Sequence, residues 1–159
     1  MDDVEFWSED GRFGLLIPGP LLKELYSRCA AAGTKETGSI LVGRYRRRNS
    51  LAVVTDLPDT PPDSVGGATY FDRGIKGLRT LLQRLWRRHR YYLGEWHYHP
   101  NAAADASCRD HRQMRGNAAS DRYQCPEPIL VIIGGSAQDR ALSVQVYPNG
   151  ERVRLHLRR

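Results

Sequence analysis

Gly94-Glu95-Trp96-His97-Tyr98-His99-Pro100, followed after a short loop by Ser107-Cys108-Arg109-Asp110, is the stretch on which the reading of this chain turns. Tyr91 to His99 reads as a strand that stops at Pro100, because proline has no amide hydrogen to give a sheet. Strand side chains alternate faces, so His97 and His99 project from the same side. Asn101 to Ala106 is a loop of small residues. Ser107 then reads as the N-cap of a helix running to about Arg115. Ser107 and Asp110 are three apart at its start, share a face, and can point back at the strand end.

Two imidazoles and one carboxylate are a donor set that suits a catalytic zinc. Three protein ligands hold the ion, with imidazole nitrogens at about 2.0–2.1 Å, and a fourth position stays open for water. Such a metal lowers the pKa of a water toward about 7. A base must still take the proton and later pass it to a leaving amine. Glu36 is the candidate, because it opens the strand-like run Lys35-Glu36-Thr37-Gly38-Ser39-Ile40-Leu41-Val42-Gly43. Ser107 has two readings that use one oxygen. As a helix cap it contributes about 1 kcal/mol; as a donor to a developing oxyanion it fills a role worth about 2.7–4 kcal/mol in other enzymes.

Blander readings compete at each position. An isolated His-x-His is usually an ordinary piece of strand, and a lone Glu at a strand start is usually solvated; the combined pattern favours zinc. Cys108, whose neighbours already supply the ligands, reads as an inert thiol. No spacing aims Asp105 or His111 at the metal, and Tyr98 faces away from the histidines into a core.

His-x-His, seven residues, Ser-x-x-Asp, with Glu-Thr-Gly upstream, resembles the JAMM motif of the JAB/MPN metallopeptidases. That resemblance implies zinc on His97, His99 and Asp110, Glu36 as general acid and base, and Ser107 as the stabiliser of a tetrahedral intermediate. It also implies hydrolysis of peptide or isopeptide bonds after the C-terminal glycine of ubiquitin or a ubiquitin-like protein. Gly-Glu-Trp-His-x-His-Pro, and Thr-Pro-Pro-Asp followed by Tyr70-Phe71-Asp72-Arg73, look like the short bacterial JAB proteins encoded beside ubiquitin-like conjugation enzymes in antiphage operons of the CBASS type. The implied partners are a ubiquitin-like protein or its conjugates, and the conjugation enzymes of the same operon. Ala106 and Ser39 depart from the commoner Pro and Gly of relatives, but neither replaces a ligand.

Outward from the motif, Arg12–Ile17 reads as a strand and Pro20 to Ala32 as a helix with Leu21, Leu22, Leu25 and Cys29 on one side. Gly38 to Tyr45 and Ser50 to Leu57 are strands joined by a basic turn, and Pro58 to Gly67 is a loop followed by a short strand near Thr69–Phe71. Ile75 to His89 reads as a helix whose apolar stripe, Trp86 included, faces a core. Asn117–Pro128 is an irregular loop where relatives carry a substrate-binding insertion. Ile129 to Gly134, Ala141 to Tyr147 and Arg152 to Leu157 complete the sheet, the last two as a hairpin about Pro148-Asn149-Gly150. The expected fold is α/β (mixed α+β): a single JAB/MPN-like domain over residues 1–159, with a central mixed sheet flanked by helices.

Composition agrees with a globular chain: 159 residues, 40% hydrophobic and 26% charged. The net charge of +6 comes largely from arginine runs at 44–48, 84–90 and 152–159, which read as solvated faces, so nucleic acid is not the expected partner. The longest apolar run, Ile129 to Ile133, is too short to cross a bilayer. Three cysteines, Cys29, Cys108 and Cys125, form no closed disulfide set, and no apolar leader opens the chain, so a reducing cytoplasm is the expected compartment. Two other classes stand beside the peptidase: a JAB/MPN scaffold that only holds partners, and a zinc nuclease. Deamination is disfavoured, because Glu95 precedes the histidines and Cys125 lacks a cysteine three residues on.

Overall fold

The computed structural model describes residues 1–158; Arg159, in the C-terminal basic group, lies outside the described residues. In chain order the elements are strands β1 (Val4–Trp7) and β2 (Gly14–Ile17), helix α1 (Gly19–Ala32), and strands β3 (Thr37–Arg46), β4 (Leu51–Asp56), β5 (Val65–Gly66) and β6 (Phe71–Asp72). They continue with α2 (Leu78–Trp86), β7 (Tyr91–Tyr98), α3 (Cys108–Ala119), β8 (Ile129–Gly135), β9 (Arg140–Val146) and β10 (Val153–Leu157). The mixed α/β class and the central mixed sheet are as expected.

Closure of that sheet was not expected. Its order is β1-β10-β9-β8-β7-β3-β4-β2, and β1 also pairs with β2, so the strands form a barrel. The closing strand β1 lies before Arg12–Ile17, the first strand expected; only its Phe6 is buried, and the period-2 signal is too short to stand out. Closure pairs most of the strand edges, but β4 covers only Val42–Arg46 of β3 and leaves Thr37–Leu41 with no strand on that side; β5 and β6 form a separate two-stranded ribbon.

Alternation along the strands divides the core by face. Leu41, Val131 and Ile133 pack with Trp96 and with Leu22, Leu25 and Cys29 of α1. On the opposite face Ile40, Val42 and Tyr92 pack with Leu78 and Leu85 of α2, while Leu130 and Ile132 pack with Met114 of α3. The segment read as the loop Asn117–Pro128 begins with the last turn of α3 and sends Tyr123 and Cys125 into the α2 cluster.

Helix α2 corrects the expected Ile75–His89 helix and its wholly buried stripe. Gly77 has φ +82° at the N-cap, where a right-handed helix cannot continue upstream, and His89 has φ +56° beyond the end. The nine-residue helix meets the sheet along a narrow seam through Leu78 and Leu85. Ile75 and Trp86 stay about half exposed, at 49% and 50%, and Trp86 turns edge-on to Tyr91. The turn at 148–150 takes the positive φ angles anticipated, +52° at Asn149 and +86° at Gly150. Among the described residues no helix is long and apolar enough to cross a membrane.

The fold positions the histidines by running β7 between antiparallel β3 and parallel β8. Gly94 has φ +149°, and a Cβ there would lie 1.8 Å from the Ile129 carbonyl oxygen. Glycine at 94 therefore lets β8 approach where β7 bulges against β3.

Candidate active site

His97 sits in β7 opposite Gly38 of β3. A Cβ at Gly38 would fall 2.3 Å from the Trp96 carbonyl oxygen and 2.9 Å from His97 Cδ2. Glycine in Glu36-Thr37-Gly38 thus leaves room for the imidazole. Phe71 of β6 meets the same ring edge-on, with centroids 5.5 Å apart. The ring is 1% exposed, and His99 is 8% exposed with its amide donating to the Ile133 carbonyl.

Asp110 comes to the histidines through the first turn of α3. Ser107 caps that helix: its hydroxyl oxygen accepts from the Asp110 amide at 3.0 Å, and Asp110 Oδ2 accepts from the Ser107 amide at 2.8 Å. This reciprocal capping box fixes the carboxylate before any metal is considered. Its Oδ1 lies 2.8 Å from His97 Nδ1, and its Oδ2 lies 3.4 Å from His99 Nε2. The cap reading of Ser107 holds, and the hydroxyl keeps its own hydrogen to donate.

Charge in this cluster is strongly coupled. Burial disfavours the imidazolium of His97, but hydrogen bonds to Asp110 and Glu95 outweigh it and raise the pKa to about 9. Burial also opposes ionisation of Asp110, yet hydrogen bonds from His97 and His99 hold its carboxyl well below the usual range. Glu36 lies just before β3, half-buried, with its amide donating to Gly67. Desolvation raises its pKa, His99 and His97 pull it down, and Asp110 pushes it up. The Glu36 carboxyl thus feels the charge of the cluster, and a raised pKa suits a group that must both take and return a proton.

The expectations about neighbours also meet their outcomes. Cys108 is an exposed free thiol, and Cys29 and Cys125 are buried free thiols. His111 turns from the cluster to the Tyr147 hydroxyl and Arg152. Tyr98 is buried on the α1 side and donates to the Gly33 carbonyl.

Sequence reasoning missed a layer behind His97. Glu95 is 0% exposed; its Oε2 lies 3.1 Å from His97 Nε2 and its Oε1 2.6 Å from Arg73 Nη2. Asn117 Nδ2 donates to that same Oε1 at 2.7 Å. The signal was present: Glu95 is two residues before His97 on the same strand face, and Arg73 closes the Tyr70-Phe71-Asp72-Arg73 string. The rest of that string serves the site too, since Tyr70 lies under the Arg109 guanidinium and Asp72 pairs with it at 2.7 Å.

Among the described residues no three His, Cys, Asp or Glu side chains enclose a ready metal site; Asp110 is instead hydrogen-bonded directly to His97. The chemistry of the donors still fits a metal. Two imidazole nitrogens flank one carboxylate, and the far nitrogen of His97 faces a second carboxylate, the arrangement usual behind metal-bound histidines.

Comparison with known proteins places the chain in a family. The profile of prokaryotic homologs of the JAB domain matches residues 18–147. A relative from Enterobacter hormaechei subsp. hoffmannii, named "CD-NTase/cGAS isopeptidase", is 41% identical over 150 residues, covering 94% of this chain and 83% of the relative. Another, from Sinorhizobium fredii and named "Probable metalloprotease y4qB", is 24% identical over 127 residues, 77% of each chain. The solution structure of a protein from Desulfitobacterium hafniense is similar in fold, with TM-score 0.65 at 16% identity over 89% of this chain and 88% of that one. The match across residues 18–147 and the 41% identity establish that this chain belongs to the prokaryotic JAB-domain family, as one of its metallopeptidases.

Proposed function

We propose that this chain is a zinc isopeptidase that hydrolyses the bond after the C-terminus of a ubiquitin-like protein, within a bacterial antiphage conjugation system. The observation that carries the reading is the convergence of His97 and His99 on Asp110, with the half-buried Glu36 at the head of β3, the strand paired with β7. The name of the 41%-identical relative supports the context, so the conjugates of a CD-NTase are the first substrates to try.

His97, His99 and Asp110 hold the zinc. When bound, zinc supplies Lewis acidity and a water of lowered pKa. Glu36 takes the proton from the attacking water and returns it to the leaving amine. Ser107, anchored by the capping box, donates its hydroxyl hydrogen to the oxyanion. An extended substrate tail adds along a sheet edge. The edge proposed for it is that of the β5–β6 ribbon, which lies against the site: Gly67 accepts from the Glu36 amide and Phe71 touches His97.

The test is incubation of the zinc-loaded protein with a CD-NTase conjugate, made by the conjugation enzymes of the same operon, followed by mass spectrometry. Release of the target with cleavage directly after the terminal residue of the partner, abolished by a chelator, is the expected result. An intact conjugate favours the scaffold reading; an intact conjugate together with chelator-sensitive nicking of plasmid DNA favours the nuclease.

A further inference from the structure

Glu95 carries a buried charge that stability does not explain. Its partner Arg73 has a side chain only 5% exposed, and Glu95 itself is 0% exposed. Desolvating two ions costs several kcal/mol each, so a buried ion pair is often no more stabilising than apolar side chains of the same volume. The way the carboxylate is wired suggests another purpose.

Its two oxygens divide their partners. Oε1 accepts from Arg73 Nη2 at 2.6 Å, Arg73 Nε at 2.8 Å and Asn117 Nδ2 at 2.7 Å. Oε2 faces His97 Nε2 at 3.1 Å. One oxygen is thus anchored from two directions, by the segment after β6 and by α3, while the other addresses a single ring nitrogen. The anchor is itself braced, since Arg73 donates to the Tyr123 hydroxyl and to the Gly74 carbonyl.

A neutral imidazole has one N–H and one lone pair, and only the lone pair binds a metal. A carboxylate accepts hydrogen bonds and never donates them. Without a metal both ring nitrogens face a carboxylate, Nδ1 that of Asp110 and Nε2 that of Glu95. Once Asp110 is given over to a metal, Glu95 alone keeps a proton, on Nε2, and Nδ1 is left with its lone pair toward the metal.

We propose that Glu95, fixed by Arg73 and Asn117, is a positioning residue that sets the tautomer and orientation of His97 so that Nδ1 is presented to the metal. This rests on the metallopeptidase reading above. It also explains why Gly-Glu-Trp-His-x-His-Pro and Tyr-Phe-Asp-Arg occur in one chain: their Glu and Arg form one ion pair behind the metal ligand.

Glu95→Gln tests it with little change in volume. Its amide oxygen can still accept from Arg73 and Asn117, but the group then facing His97 Nε2 is an NH2 donor. That favours the tautomer protonated on Nδ1, where the metal should bind. Zinc affinity by competition with a chromogenic chelator is expected to weaken about 10–100-fold. The imidazole nitrogen shifts of His97, read by NMR on the zinc-loaded wild-type protein, are expected to show Nδ1 on the metal and a proton on Nε2. Unchanged affinity in Glu95→Gln, or a metal bound through Nε2 in the wild type, overturns the proposal while leaving the zinc peptidase intact. Absence of zinc from the wild-type protein, by contrast, overturns the underlying reading. If Glu95→Gln fails to fold, Asn117→Ala decides: zinc binding several-fold weaker supports the positioning role, and parental binding rejects it.

Discussion

Glu36→Gln is expected to slow cleavage about 10²–10⁴-fold while leaving zinc in place. The carboxyl is half-buried and lies in the field of His99, Asp110 and His97, yet its contact with the fold runs through its backbone amide, which the substitution retains. Glutamine keeps the size and loses the ability to accept a proton from water. Folding stability is therefore expected to change by no more than about 0.5 kcal/mol, the range for a substitution that breaks no packing or network. Single-turnover cleavage of a conjugate, with zinc content measured on the same sample, separates the two effects. Parental rates in the variant would remove Glu36 from the mechanism.

Asp110→Ala is expected to act on metal and fold together. The carboxylate accepts from the Ser107 amide, pairs with His97 and approaches His99, all from a position 6% exposed. Its removal takes one of the three proposed zinc ligands and half of the capping box, and leaves the His97 imidazole with one carboxylate instead of two. Breaking a buried charged pair by deleting one member costs roughly 3–5 kcal/mol. The variant is expected to bind no zinc and to lose stability on this scale in urea unfolding with chelator present. Asp110→Asn keeps an acceptor for the Ser107 amide, so it should lose the metal with a smaller loss of stability. A variant Asp110→Ala that holds one zinc per chain at parental stability contradicts both the ligand set and the cap.

Much of the site was legible because its residues lie on regular elements at short spacing. His97 and His99 share a strand face, and Ser107 and Asp110 share a helical turn, so periodicity alone pairs each couple. The N-cap at Ser107 could be read for the same reason, whereas the return bond from the Ser107 amide to Asp110 appears only in the structure. Barrel closure could not, because β1 has four residues, one of them buried, and pairs with β10 some 150 positions away. The exposure of Trp86 was hidden by its position on an apolar stripe; periodicity gives the face of a helix but not the width of the seam it buries. Glu95 and Arg73 each stood inside a quoted string, but their pairing joins segments 22 residues apart through a turn and a helix. No local pattern encodes that.

Zinc content of the purified protein, wild type against His97→Ala, tests the central claim most directly. Expression in zinc-replete medium and elemental analysis should give about one zinc per chain in the wild type, as one three-ligand site requires, and near none in the variant. A wild type without zinc, or a His97→Ala protein that retains it, contradicts the assignment of this cluster as the metal centre of an isopeptidase.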